Sequence, residues 1–248
     1  ERLLTLNPAL DRAALAARFA RDRRVQIADV LTPDSAANLR DRLARETPWG
    51  LALQAGDAPA QSIRAADLAV MAPDARRALV QSVEGAMTRH TEEGDQSDYG
   101  FIFHHYPMLD AYLGQWAPGG LHDRLLEDII DADFIGLARD VTGFDDLIKA
   151  DAQATLYAPG QFLALHHDSH VGQGWRVAYV LNLTVQDWRA DWGGMLLFHD
   201  ADGHVAGGFR PVFNSLNLFA VPQAHSVSLV SPFAPLGRMA VTGWLRTG

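Results

Sequence analysis

The sequence has no cysteine among its 248 residues. This absence excludes disulfide bonds, thiolate nucleophiles and cysteine-rich zinc sites, and it fits a reducing compartment. No apolar run approaches the roughly 18 residues that a membrane-spanning helix needs, and no secretory signal peptide is recognisable. The chain begins at Glu1 rather than methionine, which leaves open whether a segment precedes it in the native protein. We therefore expect a cytoplasmic protein without membrane contact.

Positive charge is also scarce. The chain has 21 Lys and Arg against 30 Asp and Glu, which gives a formal net charge of −9. No basic block is available to neutralise phosphates, because the nearest candidate, residues 21–24, is short and interrupted by Asp22. We therefore expect no nucleic-acid partner. Apolar residues make up 48% of the chain, enough to bury a sizeable core.

Helical and extended patterns alternate over the first 150 residues or so. Apolar spacing near 3.6 predicts a helix over 9–22, and Thr32 followed by Pro33 is typical of a helix start. The expected helices are 9–22, 32–45, 73–91 and 121–142, the last ending at Gly143, and the expected strands are 24–30 and 99–106.

The pattern changes at about residue 147. From there, short strand-like runs such as WRVAYVLNLTV, SLNLFAV and RMAVTGWL are separated by Pro, Gly, Asp and Asn, which indicates a β-sandwich or barrel. We predict an α+β protein in which helix-rich residues 1–145, with flanking strands, pack on a jelly-roll core formed by residues 146–248. No Pro/Gly/Ser-rich linker separates the two parts, so one integrated unit is expected.

A metal site is indicated by FLALHHDSH at 162–170. In a strand, residues i and i+2 share a face, so His166 and Asp168 could bind one ion. A third ligand must come from elsewhere, and His225 opens a later strand-like run. Two histidines and one carboxylate on one face of an octahedron form the facial triad of non-haem Fe(II) oxygenases, although a zinc site of the same composition stays open. We expect His167 to point to the opposite face and His170 to lie beyond the turn.

Arg238 opens the strand-like run RMAVTGW, after the third ligand. An arginine that points into a barrel needs an anionic partner, and its planar fork suits a carboxylate. A dicarboxylate co-substrate that chelates iron at one end would need such an anchor at the other. Exposure of Arg238 at a solvated strand edge is the alternative.

In their order, GQFLALHHD, WRVAYVLNLTVQDW, GGMLLF, FNSLNLF, HSVSLV and RMAVTGW resemble the Fe(II)/2-oxoglutarate-dependent dioxygenases, and within them the prolyl-hydroxylase-like branch. The resemblance covers about residues 150–246. It implies a double-stranded β-helix, with Fe(II) on His166, Asp168 and His225, and Arg238 on the distal carboxylate of 2-oxoglutarate. An Arg replaces the lysine of collagen-type relatives, and SPFAPLG lengthens the interval after His225.

The resemblance also suggests further co-substrate residues. Tyr157 stands where such enzymes often carry a carboxylate-binding tyrosine, and Tyr179 competes for that role. Ala240 replaces the Ser or Thr of relatives, which moves one co-substrate hydrogen bond to Thr242 or removes it. Asn182 and Trp244 are weaker candidates for the pocket lining. Core packing is the alternative for both tyrosines.

The implied activity is hydroxylation of an unactivated C–H bond with 2-oxoglutarate and O2. The first candidate substrate is a prolyl residue in a peptide or protein. Alternatives are free proline, another amino acid or a small metabolite as substrate. A non-catalytic jelly-roll binding module and a zinc-dependent hydrolase or isomerase are rivals of other classes. Related enzymes often use ascorbate (vitamin C), and the sequence leaves its use, and the oligomeric state, open. The aromatic segment DYGFIFHHYPM is a candidate substrate lip, and DWRADWGG a candidate lid.

Overall fold

The computed structural model describes residues 2–88, 99–168 and 174–248. Expectations that fall on 89–98 and 169–173, among them the position of His170, lie outside the described residues. The helices of the described chain are α1 (Arg12–Asp22), α2 (Pro33–Glu46), α3 (Ala65–Val70), α4 (Pro73–Met87), α5 (Met108–Leu113), α6 (Leu121–Ile130) and α7 (Ala132–Thr142).

Strands dominate the second half of the chain. They are β1 (Arg24–Ile27), β2 (Gly50–Ala55), β3 (Gln61–Ile63), β4 (Gly100–Pro107), β5 (Lys149–Ala150), β6 (Gln153–Tyr157), β7 (Phe162–His167), β8 (Trp175–Asn182), β9 (Leu196–His199), β10 (Val205–Phe209), β11 (Ser215–Ala220), β12 (Ala224–Val227) and β13 (Arg238–Arg246). None of the helices in the described part of the chain has the length and apolar character that crossing a bilayer requires.

All strand pairs are antiparallel, and the sheet order is β1-β11-β8-β13-β6-β4-β7-β12-β9-β10. The order forms a nearly closed barrel: β1, β11, β8, β13 and β6 make one wall, and β7, β12, β9 and β10 make the other. β4 pairs with both β6 and β7 and so joins the two walls. The predicted α+β jelly-roll fold is confirmed.

The larger wall of the barrel, formed by β1, β11, β8, β13 and β6, is covered by the helices on its outer face and borders the barrel interior on its inner face. The outer face packs against the helices in an apolar core that includes Phe19, Leu39 and Phe134. The inner face borders the barrel interior, where aromatic and polar side chains face one another. Strands buried on both faces lose the alternating pattern of an amphipathic strand. For β8 this leaves the orientation of individual residues unreadable from the sequence.

The single helix predicted over 121–142 is wrong, because it is divided into α6 and α7 at Asp131. That residue has extended backbone dihedrals (φ −65°, ψ 155°), and its carboxylate accepts a hydrogen bond from the Asp133 amide at 3.2 Å. Asp131 is therefore the N-cap of α7. The predicted end at Gly143 is observed, with the glycine in the left-handed region (φ +71°).

Other expected elements differ mainly at their ends. Helix α1 begins at Arg12 rather than at residue 9, and β1 ends at Ile27 rather than at 30. Thr32 precedes Pro33 at the start of α2, as predicted, but its hydroxyl makes no capping hydrogen bond. Strands β2, β3 and β10 and the short helices α3 and α5 were not predicted.

Candidate metal centre and its cavity

The metal-ligand candidates meet where β7 and β12 pair. His225 lies directly opposite His166 in the register of these two strands, and Asp168 follows β7 by one residue. Strand alternation turns His166 toward the barrel interior, whereas His167 is exposed. The structure thus brings together the three predicted ligands, from strands 57 positions apart in sequence (225 − 168).

The geometry of the three side chains suits one small cation. His166 Nε2 and His225 Nε2 lie 3.6 Å from Asp168 Oδ1 and Oδ2 respectively. The ligand atoms all lie within 4.8 Å of one another. Adjacent ligands of an octahedral ion with bonds of about 2.1 Å are roughly 3 Å apart, so only small adjustments are needed. In the described part of the chain, this is the one cluster of three such residues.

Both imidazole rings are already oriented for binding. His166 Nδ1 donates to the carbonyl oxygen of Ala164 at 3.0 Å, and His225 Nδ1 donates to that of Gln223 at 2.8 Å. A carbonyl only accepts, so these contacts place the proton on Nδ1 and leave the Nε2 lone pairs free toward Asp168. Burial, followed by the charge of His166, lowers the pKa of His225 to about 4. The ring is therefore neutral near pH 7, as metal binding requires.

Arg238 lies deeper in the same barrel. Its side chain is 1% exposed, its Nε has no hydrogen-bond partner in the described structure, and none of the described carboxylates forms an ion pair with it. Burial lowers the pKa of Arg238. A buried cation without a counter-charge is costly, so this position is suited to an incoming anion. Exposure at a strand edge is excluded.

Tyr157 is the aromatic partner of this arginine. The two residues are opposite each other in the β6–β13 register, and the Arg238 guanidinium carbon lies 5.2 Å from the ring centroid of Tyr157. Burial raises the pKa of the Tyr157 hydroxyl, which therefore stays protonated and able to donate. Gly194 makes room beside them, because a Cβ at this position would lie 3.0 Å from Arg238 Cδ.

One cavity of about 1360 Å³ connects these groups. The metal triad, Arg238 and Tyr157 all line it. Its aromatic lining residues are Tyr99, Phe101, Phe103, Tyr157, Trp175, Tyr179, Phe219 and Trp244. Two of these rings lie against the triad: the ring centroid of Phe219 is 4.8 Å from that of His225, and the ring centroid of Tyr99 is 5.9 Å from that of His166. Burial followed by the Asp168 charge raises the pKa of Tyr99 to about 12. The cavity can therefore hold an anion, a metal and an additional organic molecule.

The remaining co-substrate candidates, Thr242 and Tyr179, both border the cavity, but they differ in whether the side chain is free to reach a ligand. Thr242 lines the cavity. Tyr179 borders it as well, but its hydroxyl donates to the carbonyl oxygen of Asp151 at 2.8 Å, and its ring packs edge-on against Phe134 of α7. The structure therefore brings Tyr157, rather than Tyr179, to Arg238. Of the weaker candidates, Trp244 lines the cavity in a stack on Trp175, with ring centroids 4.2 Å apart.

Asn182 is fully buried, and its Nδ2 lies 3.1 Å from Ser215 Oγ. It is not among the residues that line the cavity. Its side-chain contact ties β8 to β11, which is a structural role.

The two candidate loops also differ. In the aromatic segment that includes β4, Tyr99, Phe101 and Phe103 line the cavity, as a substrate lip would. In the tryptophan loop, Trp188 is 1% exposed and donates Nε1–H to the carbonyl oxygen of Gly193 at 3.0 Å, while Trp192 packs edge-on against it. These indoles pack in the interior and do not line the cavity.

Several cavity residues were not singled out from the sequence. The β2–β3 hairpin contributes Gln54, Asp57 and Ser62, and the barrel wall contributes Gln153. His105 is 6% exposed and lines the cavity too. A polar residue within an apolar strand is the signal that could have identified His105, whereas Gln153 is the first residue of β6 and gives no such signal.

The region that carries this site is similar in sequence to a known protein superfamily. Residues 152–246 match the 2OG-Fe(II) oxygenase superfamily, where 2OG is 2-oxoglutarate. None of the curated protein sequences matches the chain. The matched region contains all three triad residues, Arg238 and Tyr157.

Solved structures share the fold. A Pseudomonas putida prolyl-4-hydroxylase is 19% identical, with a TM-score of 0.53 over 99% of this chain and 98% of that one. A Trichoplax adhaerens prolyl hydroxylase, in complex with a hypoxia inducible factor peptide fragment, is 14% identical, with a TM-score of 0.58 over 95% and 89%. The epimerase SnoN from nogalamycin biosynthesis is 15% identical, with a TM-score of 0.55 over 97% and 84%.

Residues 152–246, which include the triad, are therefore similar to the 2OG-Fe(II) oxygenase superfamily, and the solved structures share the fold. The resemblance predicted from the sequence, including its prolyl-hydroxylase-like neighbours, is thereby confirmed.

Proposed function

We propose that the protein is an Fe(II)- and 2-oxoglutarate-dependent dioxygenase that hydroxylates a prolyl residue in a peptide or protein. The observation that carries the oxygenase assignment is the coexistence, in one cavity, of a His/Asp/His cluster and a buried arginine without a counter-charge. The prolyl substrate is supported by the prolyl hydroxylases among the proteins that share this fold.

In this proposal His166, Asp168 and His225 would hold the iron beside the cavity that they line. Bound Fe(II) would supply the dioxygen chemistry, in which decarboxylation of 2-oxoglutarate to succinate is coupled to hydroxylation of a C–H bond. The protein side chains bind and orient the reactants. Arg238 takes the distal carboxylate of 2-oxoglutarate, and the Tyr157 hydroxyl and Thr242 donate to the co-substrate.

Apolar side chains near Arg238 also exclude water from the co-substrate site. Phe103 stacks on Tyr157 with ring centroids 4.8 Å apart, and both belong to an apolar cluster with Val227 and Val230. Arg238 lies against this cluster, with its guanidinium carbon 5.2 Å from the ring centroid of Tyr157. A carboxylate bound there would be shielded from solvent, which strengthens its ion pair with the guanidinium.

A small-molecule substrate is the second candidate. The cavity of about 1360 Å³ exceeds what a single prolyl side chain fills. SnoN, which shares the fold, is described as an epimerase of nogalamycin biosynthesis. Its small-molecule role supports a metabolite as the alternative. A binding module without turnover is less well supported, because it gives the triad and Arg238 no joint task.

The co-substrate assignment is tested by absorbance under anaerobic conditions. Protein with Fe(II) and 2-oxoglutarate should show a weak visible charge-transfer band near roughly 500 nm, as expected for a keto-acid chelate of ferrous iron. Asp168→Ala and His225→Ala should abolish the band. Ser82→Ala, on exposed α4, is the control and should retain it. A wild-type protein that binds Fe(II) but gains no absorbance from 2-oxoglutarate would refute the assignment.

The substrate class is tested by succinate release in air, with capped proline peptides, free amino acids and protein extracts compared in parallel. Proline peptides should stimulate release above the substrate-free rate. Stimulation by free amino acids or metabolites alone would instead favour the small-molecule alternative.

A further inference from the structure

A chain of three polar side chains crosses the cavity wall at His105. The His105 Nε2 atom lies 2.9 Å from Ser62 Oγ on β3, and Nδ1 lies 3.3 Å from Gln153 Oε1 on β6. All three residues line the cavity that contains the metal triad. His105 thereby links the β2–β3 hairpin to the larger wall of the barrel.

The protonation state of His105 fixes the direction of these hydrogen bonds. Burial lowers the pKa of His105, so its ring is neutral and carries one N–H. Gln153 Oε1 only accepts, so Nδ1 donates to it. Nε2 is then the acceptor for the Ser62 hydroxyl. The carboxamide of Gln153 is thus held by its oxygen, and its NH2 group remains for another partner.

That NH2 group has no hydrogen-bond partner among the described residues. On the adjacent strand β13, Thr242 lies opposite Gln153 in the register, and Trp244 contributes an apolar ring to the same lining. A polar group in such surroundings costs free energy unless a ligand or solvent pairs with it. Its two N–H donors suit an acceptor oxygen.

The charged residues of the cavity lining indicate whether the acceptor for the Gln153 NH2 group is a carboxylate or a neutral carbonyl oxygen. The Lys, Arg, Asp and Glu residues among the described lining are Arg238, Asp57 and Asp168. In the proposed function Arg238 is engaged by the co-substrate, so the remaining wall offers no free cation for a second carboxylate. The carboxylate of Asp57 and the net charge of −9 oppose an additional anion. A neutral carbonyl oxygen has no such cost.

We propose that Gln153 is a substrate-binding residue that donates to an amide carbonyl oxygen of the substrate, and that His105 and Ser62 are positioning residues that hold it. This proposal rests on the proposed function and deepens it. The substrate is an amide-linked residue, as in a peptide, rather than a free amino acid with its own carboxylate.

The experiment compares Gln153→Ala with wild type, using N-acetylated and C-amidated proline tripeptides and free L-proline as probes. Gln26→Ala is the matched control, because Gln26 is also a strand glutamine with side-chain hydrogen bonds, to Arg210 O and Asn217, and does not line the cavity. Loss of one hydrogen bond should raise the KM for the peptide about tenfold. The effect of Gln153→Ala should fall on the KM more than on the kcat, since Gln153 is not assigned to the iron or co-substrate. Gln26→Ala should leave the substrate-free succinate release and the KM within about twofold of wild type.

His105→Ala should raise the KM for the peptide in the same direction. His105→Asn should restore it in part, because the asparagine amide nitrogen replaces the Nδ1 donor. A purely structural role would instead lower the thermal stability of both His105 variants without a selective effect on KM.

Turnover-independent binding is measured by ligand-observed NMR of the same peptides with anaerobic Fe(II)/2-oxoglutarate protein. Binding of the capped peptide to wild type and its loss in Gln153→Ala are expected. Absence of peptide binding to wild type, equal response to free proline, or equal KM values in wild type and Gln153→Ala would each overturn the proposal. An absent 2-oxoglutarate band with intact, Gln153-dependent peptide binding would refute the proposed function alone.

Discussion

Arg238 is a fully buried cation that the described protein does not neutralise. In the proposed function, its guanidinium fork and the facing Tyr157 bind one end of a dicarboxylate. The binding free energy of 2-oxoglutarate should therefore depend strongly on this side chain, whereas iron binding should not.

We predict that Arg238→Ala raises the 2-oxoglutarate concentration needed for half-maximal succinate release by roughly a hundredfold. The ion pair lost on truncation is worth about 3 kcal/mol or more. Arg238→Lys should give an intermediate value, because the charge is retained and the bidentate fork is lost. Iron content, measured after anaerobic loading, should be unchanged in both variants. An unchanged 2-oxoglutarate requirement would remove Arg238 from the site.

We predict a smaller effect for Tyr157→Phe, which should raise the same half-maximal concentration by about tenfold through the loss of one hydrogen bond. Tyr179→Phe is the matched comparison and should leave it near the wild-type value, because the Tyr179 hydroxyl is already bonded to Asp151 O. The loss of this hydrogen bond in Tyr179→Phe should instead lower the stability of the protein to urea. The reverse ranking of the two variants would assign the co-substrate contact to Tyr179.

Residue spacing was sufficient to nominate the triad and Arg238, because i, i+2 alternation and a later histidine are visible in the sequence. It could not choose between Tyr157 and Tyr179. Strand β8 is buried on both faces, so its apolar run does not show which residues face the helices. Only the strand register places Tyr157 opposite Arg238.

At the scale of elements, the approach to β9 depends on a glycine that no other residue can replace. Gly193 has φ +69°, and a Cβ there would lie 2.0 Å from the carbonyl oxygen of Leu229. This close approach allows the bridge between Gly193 and Val230 next to the Arg238 end of the cavity.

We predict that Gly193→Ala lowers the free energy of unfolding by about 3 kcal/mol or more, from backbone strain plus the steric clash. Gly203→Ala is the matched control, since Gly203 also has a positive φ (+84°) but a Cβ there meets no atom within 4 Å. Its cost should be about 1 kcal/mol, from backbone strain alone. Urea denaturation of both variants checks the difference. Equal losses would show that the contact with Leu229 relaxes freely.

The sequence predicted the long elements and missed the short ones. Helix α3 and strand β3 have six and three residues, too few to show a period. The break between α6 and α7 was missed because apolar residues continue on both sides of Asp131, and only its N-cap conformation reveals the end of one helix. The pairing of β2 with β4 joins segments that are distant in sequence, which local patterns do not encode.

At the scale of the whole molecule, acid stability should reflect its buried neutral histidines. His122 packs on Tyr106, with ring centroids 4.1 Å apart, and its Nε2 lies 3.1 Å from Thr47 Oγ1. Burial lowers the pKa of His122 to about 4, against 6.5 for the unperturbed side chain. The unfolded chain therefore binds more protons than the folded one below pH 6.5, and stability falls as the pH falls toward 4.

For this residue the loss between pH 7 and pH 5 should be about 2 kcal/mol. His122→Gln removes the titrating group while keeping an amide that can reach Thr47. Between pH 7 and pH 5, the unfolding free energy of His122→Gln should therefore fall by about 2 kcal/mol less than that of the wild type. Urea titrations of the two metal-free proteins measure this difference. His225 then titrates in both and cancels. Identical slopes in the two proteins would contradict this assignment.

The strands that carry the proposed metal ligands, β7 and β12, lie in the region that matches the oxygenase superfamily, but β2, β3 and β4 precede that region in the chain. These three strands supply Gln54, Ser62, Phe103 and His105 to the cavity. In the proposed function, part of the cavity wall that faces the substrate is therefore encoded before the stretch that carries the triad. Chimaeras that exchange only the segment 50–63 between relatives should redirect the enzyme to new targets while its oxidising centre is inherited intact.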